Sequence, residues 1–197
     1  LPIFPCWNSY TAAMIGDHCI AAIGDAYVKG IRNFDIETAY KGMRQNAFES
    51  PVQEADYRNG MGRRALQSYL KYGYIPLEDS VPDAFHTKEQ VSRTLEYAYD
   101  DFVLSQVAKL LQKEEDYKLL AARALNYRNV IDPATGYAQG RHADGTFLKE
   151  ANAFQFAKFI TEGAPCHYTW YVPQDPYGLM ECMGGRPHYV EKLDSMF

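Results

Sequence analysis

Basic runs are missing from this sequence. Its 20 Lys and Arg are outnumbered by 25 Asp and Glu, a formal charge of −5 over 197 residues. The cations are scattered, so nothing tracks a phosphate backbone, and nucleic-acid binding is excluded on that count. No apolar stretch approaches the roughly 20 residues of a membrane span, and nothing near Leu1 reads as a signal peptide. Convincing strand-length alternation is also lacking, which leaves the helical period to organise the chain. The four cysteines, Cys6, Cys19, Cys166 and Cys182, stand far apart, without a Cys-x-x-Cys pair or the His spacing of a zinc site. Buried thiols are the simplest reading, and a Cys19–Cys166 or Cys6–Cys182 bridge stays open in an oxidising compartment. There is no initiator Met and no detectable internal repeat. The chain stops where another helix is forming, so it is expected to be an excerpt of a longer polypeptide.

Helical signals are plentiful. After a Pro-rich opening, Trp7 and Tyr10 are candidate pocket or packing aromatics. Asp17 is placed to cap a helix reaching about Lys29, with Ile20, Ile23, Ala26 and Tyr27 on one side. Gly30 stops it, and Asp35 opens a second helix carrying Ile36, Ala39, Tyr40 and Met43 to about Phe48. These two predict a helical hairpin. A polar segment leads to a third helix over 62–72, ended by Gly73 and Pro76. Thr87-Lys88-Glu89-Gln90 reads as a capping box opening the longest helix, which turns Val91, Leu95, Ala98, Phe102, Val107 and Leu110 toward a core. Lys113 to Asp116 is the turn into a helix carrying Tyr117, Leu120, Ala121 and Ala124 to about Val130, a second hairpin. Asp132 and Asp144, each followed closely by Pro or Gly, read as turn residues. A last helix pair is expected over 174–183 and 188–196, divided by Gly184-Gly185-Arg186-Pro187. The fold class is therefore all-α, and successive hairpins with loops gathered at one end suggest a ring of helical hairpins.

Chemistry concentrates in one stretch, Thr161-Glu162-Gly163 through Tyr168-Thr169-Trp170-Tyr171-Val172-Pro173 to Asp175. A glutamate (Glu162), one imidazole (His167) and several rings lie within a few turns of chain. That is the make-up of a sugar pocket, because rings stack on the C–H faces of sugars and a carboxylic acid protonates a departing glycosidic oxygen. The same residues also suit a plain helix start, with Thr161 as cap and Glu162 at the positive end of the dipole.

This stretch resembles the signature of the glycoside hydrolase family 92 α-mannosidases, and other segments agree with that family in order. They include Met14-Ile15-Gly16-Asp17-His18, Asp25-Ala26-Tyr27, Gly73-Tyr74-Ile75-Pro76, Thr94-Leu95-Glu96-Tyr97-Ala98-Tyr99-Asp100-Asp101, Thr135-Gly136, Gly140-Arg141 and Asp144-Gly145. The resemblance implies part of an (α/α)6 toroid spanning 1–197, with an N-terminal β-sandwich domain and the C-terminal part of the barrel outside this chain. It implies an inverting exo-α-mannosidase acting on mannose-containing glycans, α-1,2 or a related linkage, secreted, periplasmic or cell-surface. Glu162 falls on the family's general acid. The family's base comes from an Asp-rich motif absent here, and most ligands of its Ca2+ ion lie outside the chain, so no metal ligand is assigned and the chain alone is expected to be inactive. Asp17, with His18 beside it, matches a position that contacts the terminal mannose, with helix capping as the alternative. Arg64, or Arg63, falls on a sugar-contacting arginine, although a helical Arg is usually solvated. His167 stands where many relatives carry part of an Asn-Ala-Trp-Gln run and is a candidate contact for the leaving sugar, or a satisfied core residue. Trp170 is a candidate stacking ring. Asp100 and Asp101 are adjacent, point to different helix faces and read as structural. The alternative to the enzyme reading is a non-catalytic helical module, carbohydrate-binding or structural, lacking the base and calcium motifs.

Overall fold

A computed structural model describes residues 5–6, 9–10, 12–81, 86–149 and 152–197. Trp7 and the Tyr10 and Cys6 side chains lie outside the described residues. The fold is all-α apart from a minimal antiparallel ladder of β1 (Pro5–Cys6) and β2 (Ser9–Tyr10). Two hairpins dominate, as the periodicity predicts. Helix α1 (His18–Val28) pairs with α2 (Ile36–Phe48), and α5 (Gln90–Leu110) runs antiparallel to α6 (Glu114–Arg123). Asp35 caps α2 by accepting the Thr38 N–H at 3.0 Å.

Helix α5 is the central element. It is buried nearly all round, polar positions included, which marks a helix in the interior of a packed body rather than on its surface. Its C-terminal half sits in a core of Ile20, Tyr40, Met43, Leu104, Val107 and Leu120, drawn from both hairpins. Gly24 lets α1 come close, because a Cβ there would collide with the Val103 side chain. Its N-terminal half, with Val91, Leu95 and Ala98, packs instead on Tyr127, Ile160, Val172 and Leu179 from the irregular C-terminal third. Each such buried aliphatic or aromatic side chain contributes about 1.5–3 kcal/mol of transfer free energy, so α5 joins two cores. Leu110, expected inside, is 53% exposed on the last turn.

Several boundaries differ from expectation for local reasons. The polar segment before the third predicted helix contains the short α3 (Glu54–Arg58), and the helix itself, α4 (Leu66–Tyr72), starts four residues later than the pattern suggests. Gly73 ends α4 in the left-handed conformation, φ +72°, as a C-cap glycine should. After α6 the chain tightens into a 3-10 turn, Asn126–Val130. The 131–147 region is held by isolated bridges, Ile131 to Ala138 and Arg141 to Phe147, and Asp132 and Asp144 bond their own turns. A short α7 (Pro165–Tyr168), α8 (Pro176–Cys182) and α9 (Arg186–Asp194) follow. Pro187, read as a separator, is inside the first turn of α9, where its missing N–H has no intrahelical partner to lose. Cys19, Cys166 and Cys182 are free thiols, so the Cys19–Cys166 bridge is absent.

Candidate active site

The Glu162 turn is tied to the first turn of α5. The Phe159 carbonyl accepts from the N–H groups of Val91 (3.1 Å) and Ser92 (3.3 Å), and the Lys158 carbonyl accepts from Glu89 N–H (3.1 Å). Thr161 N–H donates to Ser92 Oγ at 2.9 Å. A neighbouring segment therefore satisfies the orphan donors at the start of α5, and the expected capping box does not form. Glu89, one residue before the helix, directs its carboxylate to His86 Nδ1 instead, 3.2 Å away.

Nor is the Thr161-Glu162-Gly163 segment a helix start. Helix α7 begins at Pro165, and Glu162 holds a left-handed backbone with φ +53°. That conformation costs a non-glycine residue on the order of 1–3 kcal/mol and persists only where the surroundings fix it. The docked backbone on either side does so. The Glu162 side chain is 63% exposed, with His86 Nε2 3.9 Å from Oε1.

Beside this turn lies a buried carboxylate that the sequence reading did not single out. Glu96 Oε1 accepts the Tyr168 hydroxyl at 2.9 Å, and His18 Nε2 is 3.5 Å from Oε2. Burial pushes the Glu96 carboxyl above the usual range, against the pull of His18, Tyr168 and Tyr171. Gly16, φ +84°, makes room: a Cβ there would stand 2.8 Å from His18 Nε2 and 2.9 Å from Glu96 Oε2. The one hint in the sequence was an acid at 96 and another at 100, four residues apart on the same face of the longest helix.

Asp17 points elsewhere. Its side chain is fully buried, with Oδ2 3.4 Å from Arg63 Nε and Oδ1 3.3 Å from Asn46 Nδ2. It precedes α1 but makes no side-chain cap. Its backbone N–H donates to Asp100 Oδ2 at 2.8 Å. Arg63 continues to Asp101 (2.7 Å), which also takes Arg123 Nε (2.7 Å) and the Tyr69 hydroxyl (3.1 Å). Asp100 and Asp101 are thus interior structural groups. Burial raises the Asp17 carboxyl, with Arg63 opposing, and raises Asp100 well above its ordinary range.

The remaining candidates separate. Arg64 is buried and off the helix, its guanidinium 4.1 Å over the Tyr57 ring and donating to the Tyr57 carbonyl. Arg63, not Arg64, holds Asp17. His167 is exposed, and its Nδ1 accepts the Ala164 N–H at 3.2 Å. Trp170 packs edge-on against Tyr189, centroids 5.2 Å apart, within the C-terminal core. Among the described residues, no group of three or more His, Cys, Asp or Glu side chains could hold a metal ion. No helix among them is long and apolar enough to cross a membrane.

Helical hairpins that carry an exposed acid on a braced turn, next to tyrosines and a histidine, form a scaffold of the glycoside hydrolase kind. The chain belongs to glycosyl hydrolase family 92, whose catalytic domain matches residues 1–197. Its hairpins are part of that family's (α/α)6 toroid. A family GH92 alpha-mannosidase from Bacteroides thetaiotaomicron, also solved in complex with mannoimidazole, is 36% identical and superposes over 100% of this chain and 24% of its own, TM-score 0.84. A GH92 inverting mannosidase from the same organism is 34% identical over 93% of this chain and 24% of its own, TM-score 0.81. An uncharacterized secreted glycosidase of Arthroderma benhamiae is 28% identical over 91% of this chain and 26% of its own. The chain spans about a quarter of the length of these relatives.

Proposed function

We propose that this chain is the acid-bearing segment of an inverting exo-α-mannosidase that removes terminal mannose, α-1,2-linked or of related linkage, from glycans outside the cytoplasm. The observation that carries the reading is Glu162 itself, an exposed carboxyl on a left-handed backbone braced against α5. In this reading Glu162 gives its proton to the glycosidic oxygen as the C1–O bond breaks. A water on the opposite face of the sugar, deprotonated by a second carboxylate outside these 197 residues, attacks C1 and inverts it. Glu162 leaves the cycle ionised and is reprotonated from solvent, to which it is open. His18 and His167 are assigned to sugar hydroxyls. Asp17 and Arg64, being buried, would reach substrate only if their present partners gave way, and Trp170 only through an exposed ring edge. Calcium belongs to the reading through the family resemblance, with ligands supplied by other segments, as does the N-terminal β-sandwich domain. The fungal relative described as secreted supports the extracellular setting.

The test is Glu162→Gln in the complete protein. Turnover of a mannoside with a poor leaving group should fall by about 10²–10⁴-fold, the usual worth of general acid catalysis, with an unchanged melting temperature. Near-normal turnover on that substrate would remove Glu162 from the role.

A further inference from the structure

Glu96 occupies an unusual position for a carboxylate. It sits on the central helix with a side chain only 5% exposed, and Oε2 faces His18 Nε2 at 3.5 Å. Among the described residues, no arginine or lysine stands against it. The titratable groups that face it are His18 from the start of α1, Tyr168 from α7, Tyr171 just beyond it, and Asp100 one turn along α5. A buried acid with no structural cation is expensive to keep, and its partners come from the two segments that carry candidate site residues.

We propose that Glu96 is a positioning residue that fixes the tautomer and orientation of His18 while anchoring the segment behind Glu162 through Tyr168. The inference rests on the mannosidase reading above for its substrate. A carboxylate facing one ring nitrogen of a histidine makes that nitrogen the donor and leaves the other as acceptor. With Nε2–H directed to Glu96, His18 offers Nδ1 as an acceptor. Its side chain is 47% exposed, so a sugar hydroxyl can reach it. Glu96 Oε1 meanwhile holds the Tyr168 hydroxyl, six residues after Glu162 in the segment docked on α5. One carboxylate thus sets the spacing between a sugar-binding group and the acid. Gly16 is required by the same arrangement, since any side chain there meets both His18 and Glu96.

The test is nitrogen-15 NMR of the histidine rings in the complete protein, at a pH where they are neutral, with His18 assigned from a His18→Gln variant. Wild type should show the Nε2–H tautomer at His18, and an Nδ1–H ring there overturns the proposal without any further variant. In Glu96→Gln the amide oxygen still accepts from Tyr168, but the NH₂ faces His18 and forces Nε2 to accept. The tautomer should switch, and KM for the mannoside should rise about tenfold, the scale of one hydrogen bond, with kcat changed less than about threefold. An unswitched tautomer, or a switch with KM unaltered, overturns it. Tyr168→Phe should leave the tautomer as in wild type, and a switch there would show that Tyr168 rather than Glu96 sets it. Absence of mannoside turnover in wild type would sink the mannosidase reading, and a fully active Glu162→Gln would remove only Glu162 from the acid role; either leaves the tautomer result standing.

Discussion

Arg63 Nη1 lies 2.7 Å from Asp101 Oδ1 in an ion pair with no solvent exposure on either side chain. The pair is the centre of a larger group: Arg63 also reaches Asp17, and Asp101 also takes Arg123 and Tyr69. It fastens the loop before α4, the residue ahead of α1 and the middle of α5 at one point. A buried ion pair is weak evidence of net stability, because desolvating both ions offsets their attraction. Breaking it is another matter.

Asp101→Asn leaves Arg123, mostly buried, without its carboxylate, and Arg63, fully buried, with Asp17 alone at 3.4 Å. Removing one partner of a buried pair costs about 3–5 kcal/mol, and Asp101→Asn should fall in that range. Arg63→Met leaves Arg123 on Asp101 and should cost less. Denaturant midpoints at unchanged m-value measure both. A loss under about 1 kcal/mol for Asp101→Asn, typical of a surface change, would mean that water enters this cluster.

The same cluster sets a pH dependence. Asp17, Asp100 and Asp101 face Arg63 and Arg123, so the group carries one carboxyl more than it has cations. Asp100 makes no arginine contact, and its Oδ1 is buried with no hydrogen-bond partner among the described residues. Burial raises its pKa strongly, and Asp17 and Glu96 are raised too. A raised folded pKa contributes stability that is complete below the unfolded values of about 4 and is lost as pH rises through the folded values. Asp116, Asp175 and Glu78 are lowered and work in the opposite sense, losing their contribution as pH falls below about 4. Stability should therefore peak at mildly acidic pH. Asp100→Asn imitates the protonated carboxyl, so it should cost less than about 1 kcal/mol at neutral pH and flatten the fall in stability above pH 5 or so. Urea melts across a pH series decide it, and an Asp100→Asn profile parallel to wild type would assign the proton elsewhere.

The hairpins α1–α2 and α5–α6 were legible because their apolar residues recur at helical spacing, and Asp35 and Gly73 do what their types suggest. The character of α5 was not legible. Nothing local places Arg93, Glu96, Asp100 and Asp101 in an interior, since charged residues are rarely fully buried. Only their partners, at 17, 18, 63, 123 and 168, reveal an interior. The capping box at Thr87 failed for a similar reason, because distant carbonyls at 158 and 159 took the donors first. Glu162 stood out at once in the sequence, whereas its left-handed backbone depends on contacts with residues some seventy positions earlier and has no local signal.

The Asp175 end of the signature makes a prediction with an unusual sign. Asp175 Oδ1 caps α8 by accepting Gly178 N–H at 2.9 Å, and Oδ2 accepts the Tyr127 hydroxyl at 2.7 Å, with Arg128 Nη2 3.4 Å away. Gly178 lies in the first turn of α8, where Ala would ordinarily be better than Gly by about 1 kcal/mol. Here a Cβ would overlap Asp175 Oδ2, the Tyr127 hydroxyl and Arg128 Nη2 together. Gly178→Ala should therefore destabilise, by about 1–3 kcal/mol as overpacking does, despite its better helix propensity. Tyr127→Phe removes one of the colliding atoms, so the double variant Gly178→Ala/Tyr127→Phe should lose less than the sum of the two single losses. A double-variant cycle by thermal unfolding gives that coupling. Strict additivity, or a stabilising Gly178→Ala, would show that α8 relaxes away from the 3-10 turn and that Asp175 does not lock the two together.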